Sequence, residues 1–140
     1  DVVKSKAAEQ DIIIMTAAVA DFCPSHPADE KIKKNDSSYE SVIELERTED
    51  ILSYLGAHKA KGQLICGFSM ETQNMLENSK AKLAKKNADM IVANNLKVAG
   101  AGFGTDTNVV TLITADDCTE LEIMDKSCAA ARIMDRLLKM

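Results

Sequence analysis

The chain has 140 residues, enough to bury the core of one ordinary domain and too few for two of conventional size. With 46% hydrophobic and 28% charged residues it reads as a globular protein, and no apolar run approaches the roughly 18 residues of a membrane span. A formal net charge of −5 argues against a general polyanion-binding surface, hence against nucleic acid as a partner, and leaves any phosphate ligand to a local cluster of lysines.

In chain order, residues 1 to 10 read as a short helix with Val2, Val3, Ala7 and Ala8 inward. The run DIIIMTA at 11 to 17 is apolar and β-branched throughout, the pattern of a strand buried on both faces. The stretch TAAVADFCPSHPADEKIKKN at 16 to 35 then falls from small residues into a proline-broken loop that ends among lysines. SVIELERT at 41 to 48 reads as an extended segment. Thr48 is a plausible N-cap for a helix with Glu49 and Asp50 in its first turn and Ile51, Leu52 and Leu55 at helical spacing.

QLICGFS at 63 to 69 and DMIVAN at 89 to 94 are two further buried-type strands, separated by a lysine-rich helix over 73 to 87. That helix has Leu76 and Ala84, with Leu83 or Lys80, defining its sides. Strands alternating with helices predict parallel β-α-β units and an α/β layered fold. NVVTLIT and TELEIMD, separated by ADDC, predict an antiparallel hairpin. Ser127 then caps a last amphipathic helix with Ala131, Met134, Leu137 and Leu138 on one side. The four cysteines (Cys23, Cys66, Cys118 and Cys128) form no C-x-x-C pair, and neither His26 nor His58 stands at zinc-site spacing from them. Free thiols are expected.

Three features carry candidate chemistry. The end of the first strand offers small residues, Ala17, Ala18 and Ala20, over which a ligand can approach the backbone, with Asp21 as a hydrogen-bond acceptor for a base or ribose. The alternative is that the alanines only pack. In KIKK at 31 to 34, Lys31 and Lys33 would share one side of an extended chain and meet a phosphate, and a solvated charge run is the plainer account. Lys82 and Lys86, four apart on one helix face, repel unless an anion lies between them. Here too the plainer reading is an exposed, solubilising helix. The glycines of GAGFG at 100 to 104 precede a strand rather than open a helix, which is the wrong context for a dinucleotide fingerprint and sets aside a nicotinamide oxidoreductase. They serve better as loop residues at positive φ.

Taken in order, AAVADF, KIKK ten residues after Asp21, GFSMET, KKNADMIVAN and GAGFGTDTN resemble the bacterial phosphopantothenoylcysteine synthetase (phosphopantothenate-cysteine ligase) domain. That domain is usually the C-terminal half of a bifunctional coenzyme A biosynthesis protein. The resemblance runs from about Asp11 to the C-terminus. It implies a single domain of Rossmann-like type over 1 to 140, with a mainly parallel central sheet and a C-terminal antiparallel hairpin. It further implies a cytoplasmic homodimer, fused in nature to a phosphopantothenoylcysteine decarboxylase domain, that joins 4′-phosphopantothenate to cysteine with CTP and Mg2+. Lys31 matches the family's essential lysine beside CTP and the acyl intermediate. Met15, Thr16, Ala17, Asp21, Phe68, Lys82, Lys86 and the helix start Glu49, Asp50, Ile51 and Leu52 match nucleotide-binding positions. Ala17 and Ala18 lie where the pantothenate moiety passes, and Lys33, Lys34 and Asn35 belong to a flap. No metal ligands are assigned by this likeness.

Two positions depart from the family pattern: Glu49 stands where proline is common, and Met70 where a small residue is usual. The sequence also begins without the family's first strand and asparagine-bearing loop, so most of a CTP pocket without a complete active site is expected. A non-catalytic nucleotide-binding or dimerisation fragment is the competing reading.

Overall fold

The computed structural model describes residues 1–31, 42–71, 74–95, 98, 101–102 and 104–140. The chain forms two compact units: residues 1–16 with 51–140, and residues 17–50.

The first unit is an α/β layer structure. Its sheet has the order β1 (Ile12–Met15), β4 (Leu64–Glu71), β5 (Met90–Asn95), β7 (Val110–Ile113), β8 (Cys118–Glu120). The first three strands are parallel, with Ile12 opposite Leu64 and Cys66 opposite Met90, and β7 and β8 run antiparallel to their neighbours. The expected parallel core and C-terminal hairpin are both present. The hairpin turns at Ala115 and Asp116, where Thr114 N–H donates to the Asp117 carbonyl at 2.9 Å and Asp117 N–H donates to Thr114 Oγ1 at 3.1 Å. A two-stranded pair, β6 (Thr107–Asn108) with β9 (Met124–Asp125), follows the glycine loop, in which Gly102 and Gly104 do take positive φ, 107° and 70°.

Period-two alternation divides the apolar residues between two faces. Cys66, Met90, Val92, Val110 and Leu112 pack on one side with Ile133 and Leu137 of α4 (Lys126–Leu137), while Ile13, Ile65 and Ile91 pack on the other with Leu52 and Leu55 of α2 (Ile51–Ala57) and Leu83 of α3 (Met75–Lys85). β5 is buried on both faces over Met90–Ala93, as its unbroken apolar run predicts. β1 is not: only Ile13 is buried, because in the structure it has β4 on one side only.

The helices are where the expected faces fail. α1 (Val2–Ala7) turns Val3 and Ala7 to the core and leaves Val2 exposed, and Ala8 lies beyond its end and is exposed too. α3 buries Ser79 and Leu83 and leaves Leu76 and Ala84 exposed, because Ser79 Oγ finds a partner in Ser69 Oγ of β4 at 2.8 Å and so can face inward at no loss. α4 starts after Asp125 rather than at Ser127, and buries Ala129, Ile133 and Leu137 while Ala131, Met134 and Leu138 face out. Its apolar positions form two overlapping stripes, and the small Ala129 lets the helix lie close on the first of them.

The second unit is built on an antiparallel ribbon, β2 (Phe22–Pro24) with β3 (Leu45–Arg47), in which Arg47 lies 5.2 Å from the Phe22 ring centre. Thr48 does not cap α2: its N–H donates to the Asp21 carbonyl at 3.0 Å and its hydroxyl to the Ala20 carbonyl at 2.5 Å, closing the ribbon.

Candidate active site

In the first unit the expected residues converge on the carboxyl half of β4. Met15 ends β1 opposite Gly67, with Thr16 exposed just beyond. Gly67 leaves room for α2: a Cβ on it would come 2.7 Å from Leu52 Cδ2 and 3.1 Å from Ile91 Cδ1, so any side chain there would make the Leu52 and Ile91 side-chain ends shift where α2 seats its first turn on the sheet. Phe68 turns to the other face and packs at the edge of the core there.

Both helical lysines are half-buried and held. Lys82 Nζ donates to the Phe68 carbonyl at 2.8 Å, and Lys86 Nζ donates to Ser53 Oγ of α2 at 2.9 Å. Their spacing of four places them one turn apart, and the Ser69–Ser79 hydroxyl pair pins the same helix to β4 one turn earlier. Lys82 has no carboxylate partner among the described residues, so its ammonium meets a neutral oxygen and retains donors for an anion. Beneath the helix, Asp89 clamps the sheet: Oδ1 accepts from Lys59 Nζ at 2.9 Å and Oδ2 from Ile65 N–H at 2.7 Å. Cys66, in β4 between these anchors, is no nucleophile. Burial first and the Asp89 charge second push its thiol up to about 12, so it stays protonated at neutral pH.

The second unit carries the rest. The ribbon sets Asp21 next to Thr48 and so next to the run Glu49–Asp50. Ala17 and Ala18 lead into it exposed, and Lys31 is exposed with no hydrogen-bond or ion-pair partner among the described residues. Lys33, Lys34 and Asn35 lie outside the described residues. Thus Met15, Leu52, Lys82 and Lys86 share the α2–α3 side of the sheet in one unit, Phe68 meets Lys82 only through its carbonyl because its side chain faces the other side, and Asp21 lies beside Thr48, next in the chain to Glu49 and Asp50, in the other. The sequence reading missed Ser53, the Ser69–Ser79 pair and the amides of Asn94 and Asn108, because each works through a partner on another element and none has a local signature.

A family model, the DNA/pantothenate metabolism flavoprotein C-terminal domain, matches residues 1–140. The chain belongs to this family. Among curated members of this flavoprotein domain family, the Bacillus subtilis (strain 168) coenzyme A biosynthesis bifunctional protein CoaBC is 48% identical over 128 residues, 91% of this chain and 31% of that protein. A cysteine/cysteine sulfinic acid decarboxylase from an unknown prokaryotic organism is 47% identical over 131 residues, 93% of this chain and 36% of that protein. The chain therefore spans about a third of the length of the curated relatives it matches. A crystal structure of the C-terminal domain of a CoaBC protein superposes with a TM-score of 0.76 at 41% identity, covering 99% of this chain and 61% of that one. A Cab2 mutant in complex with phosphopantothenate-cysteine shares the fold, with a TM-score of 0.64 at 19% identity over 98% of this chain and 48% of that one.

Proposed function

We propose that the chain forms the nucleotide-binding part of a phosphopantothenate-cysteine ligase of coenzyme A biosynthesis, acting in the cytoplasm with CTP. The observation that carries this reading is the pair Lys82 and Lys86, turned onto β4 and α2 and hydrogen-bonded to a carbonyl and a hydroxyl, in a domain 41% identical to the C-terminal domain of a CoaBC protein. A triphosphate would meet the donors that Lys82 retains, one helical turn from Lys86. The phosphopantothenate-cysteine bound to the Cab2 relative supports the substrate class.

In the proposed reaction the pantothenate carboxylate attacks the α-phosphorus of CTP and pyrophosphate leaves, giving an acyl-cytidylate. The cysteine amine then attacks the acyl carbon, CMP leaves with the bonding pair, and the amide forms as the amine loses its proton. Lys82 and Lys86 would hold the phosphates. Lys31 would stabilise charge developing at the phosphoryl and acyl oxygens, where a fixed cation is worth most in a site that excludes water. Asp21 would orient the nucleotide through its base or ribose. Mg2+ would neutralise triphosphate charge when bound and needs only one or two protein carboxylates; no group of three candidate ligands occurs among the described residues, and no residue is assigned to it.

The test is to graft this chain into the Bacillus subtilis relative in place of its matching segment. Pyrophosphate release is expected only when CTP and 4′-phosphopantothenate are both present, and Lys31→Gln is expected to cut amide formation at least about a hundredfold. Unchanged amide formation in that variant would remove Lys31 from the reaction. The competing reading is a nucleotide-binding or dimerisation module without turnover. Calorimetric CTP binding with no turnover in the graft would support it.

A further inference from the structure

α2 meets Lys86 at both ends of that residue. At the main-chain end, a Cβ on Gly56 would lie 1.8 Å from the Lys86 carbonyl oxygen, so the two backbones approach at a distance that only a glycine permits. At the side-chain end, the Lys86 ammonium donates to Ser53 Oγ at 2.9 Å. Ser53 and Gly56 stand three residues apart in α2, about 4.5 Å along the helix axis and on one face of it. The lysine side chain therefore lies along one turn of α2 and carries its charge from Gly56 back toward the amino end of that helix.

A lysine at the end of a helix has a flexible stem, and in water it samples many rotamers. Here the stem is set by two ties. Asn87 Nδ2 donates to the Gly56 carbonyl at 2.8 Å and fixes the end of α3 against α2, and the Ser53 hydroxyl holds the ammonium. Ser53 and Lys86 are both half-buried, so salt screens this contact less than an open surface pair. Lys82, one turn earlier, is directed to a different element, since its ammonium donates to the Phe68 carbonyl of β4 at 2.8 Å. The two ammonium groups are thus held at separate anchors. A hydroxyl suits this role because it accepts from the ammonium through a lone pair and brings no negative charge of its own.

We propose that Ser53 is a positioning residue of the anion site, which presents the Lys86 ammonium at the first turn of α2 to the phosphate chain of a nucleoside triphosphate. The assignment rests on the reading above that Lys86 holds phosphate. A donor set in advance loses no rotamer freedom when the anion arrives, so the Ser53 hydroxyl strengthens binding through Lys86 and by no other route.

A double-mutant cycle separates that action from support of the fold. CTP and inorganic triphosphate are titrated by calorimetry into the whole wild-type chain, Ser53→Ala, Lys86→Met and the double variant. Ser53→Ala is expected to weaken both ligands roughly fivefold when Lys86 is present, and by less than about twofold when Lys86→Met is already in place. Unchanged affinity in Ser53→Ala, or an equal loss with and without the lysine, overturns the proposal. If Ser53→Ala does not fold, Ser53→Cys, whose thiol is a weak acceptor, takes its place under the same criterion. If the wild-type chain binds neither ligand, or if Lys86→Met binds both as wild type does, the phosphate role of Lys86 falls and this assignment with it. If Lys86→Met weakens binding and Ser53→Ala does not, this assignment falls alone.

Discussion

Cys66 shows how one buried side chain writes a pH dependence into the molecule. Its thiol is fully buried in β4, and desolvation with the Asp89 charge raises it from 9.0 to about 12. Folding therefore favours the protonated form. Its contribution is present in full below pH 9 and is lost as pH rises toward 12, because there the unfolded chain gives up a proton that the folded chain keeps. Cys66→Ala removes that dependence at the cost of a small cavity, about 1 kcal/mol at pH 7. Urea unfolding at pH 7 and pH 10 should show the gap between wild type and variant narrowing at the higher pH. A gap that stays constant would mean that the thiol ionises as readily folded as unfolded.

At the scale of elements, the contact between α2 and the end of α3 is set by one glycine. A Cβ at Gly56 would lie 1.8 Å from the Lys86 carbonyl oxygen and 3.2 Å from Asn87 Cβ. Asn87 in turn takes φ 49° to end α3 and donates from Nδ2 to the Gly56 carbonyl at 2.8 Å. The obstacle is backbone and cannot swing aside, so Gly56→Ala is expected to cost roughly 3 kcal/mol in urea unfolding. It would also part Lys86 from Ser53, which a fall in CTP affinity larger than that of a distant variant of equal stability would register.

Such element-to-element fits explain what the sequence made legible. β4 and β5 could be read as strands because strands buried on both faces must be apolar without interruption. The inward faces of α3 and α4 could not, since a serine faces the core when another serine meets it, and since two apolar stripes on α4 compete. β2 went unread because a three-residue ribbon strand ending in Pro24 has no periodicity to see. Within the site, Lys82 and Lys86 announce themselves by charge and spacing, whereas their acceptors, the Phe68 carbonyl and the Ser53 hydroxyl, belong to other elements that only the fold brings near.

On the scale of the whole molecule, the second unit lies in the chain between β1 and α2 as a single insertion, leaving after Thr16 and returning at Ile51. Every strand of the five-stranded sheet comes from the first unit, and so do all the residues of its two cores. Pairing Ile12 with Leu64 nevertheless requires the chain to close a loop that includes the insertion. The insertion is thus a standing entropic tax on folding, of roughly 0.6 kcal/mol for each doubling of loop length. Replacing residues 17–50 with a short Gly/Ser linker is expected to leave the sheet folded by circular dichroism and to speed refolding, while abolishing CTP binding through loss of Asp21 and Lys31. Loss of the sheet signal would show instead that the insertion is part of the scaffold. On the expected outcome, the ribbon is evolutionary cargo in the strict mechanical sense: a detachable attachment whose retention slows assembly, and which is kept for what its side chains hold rather than for any support it gives.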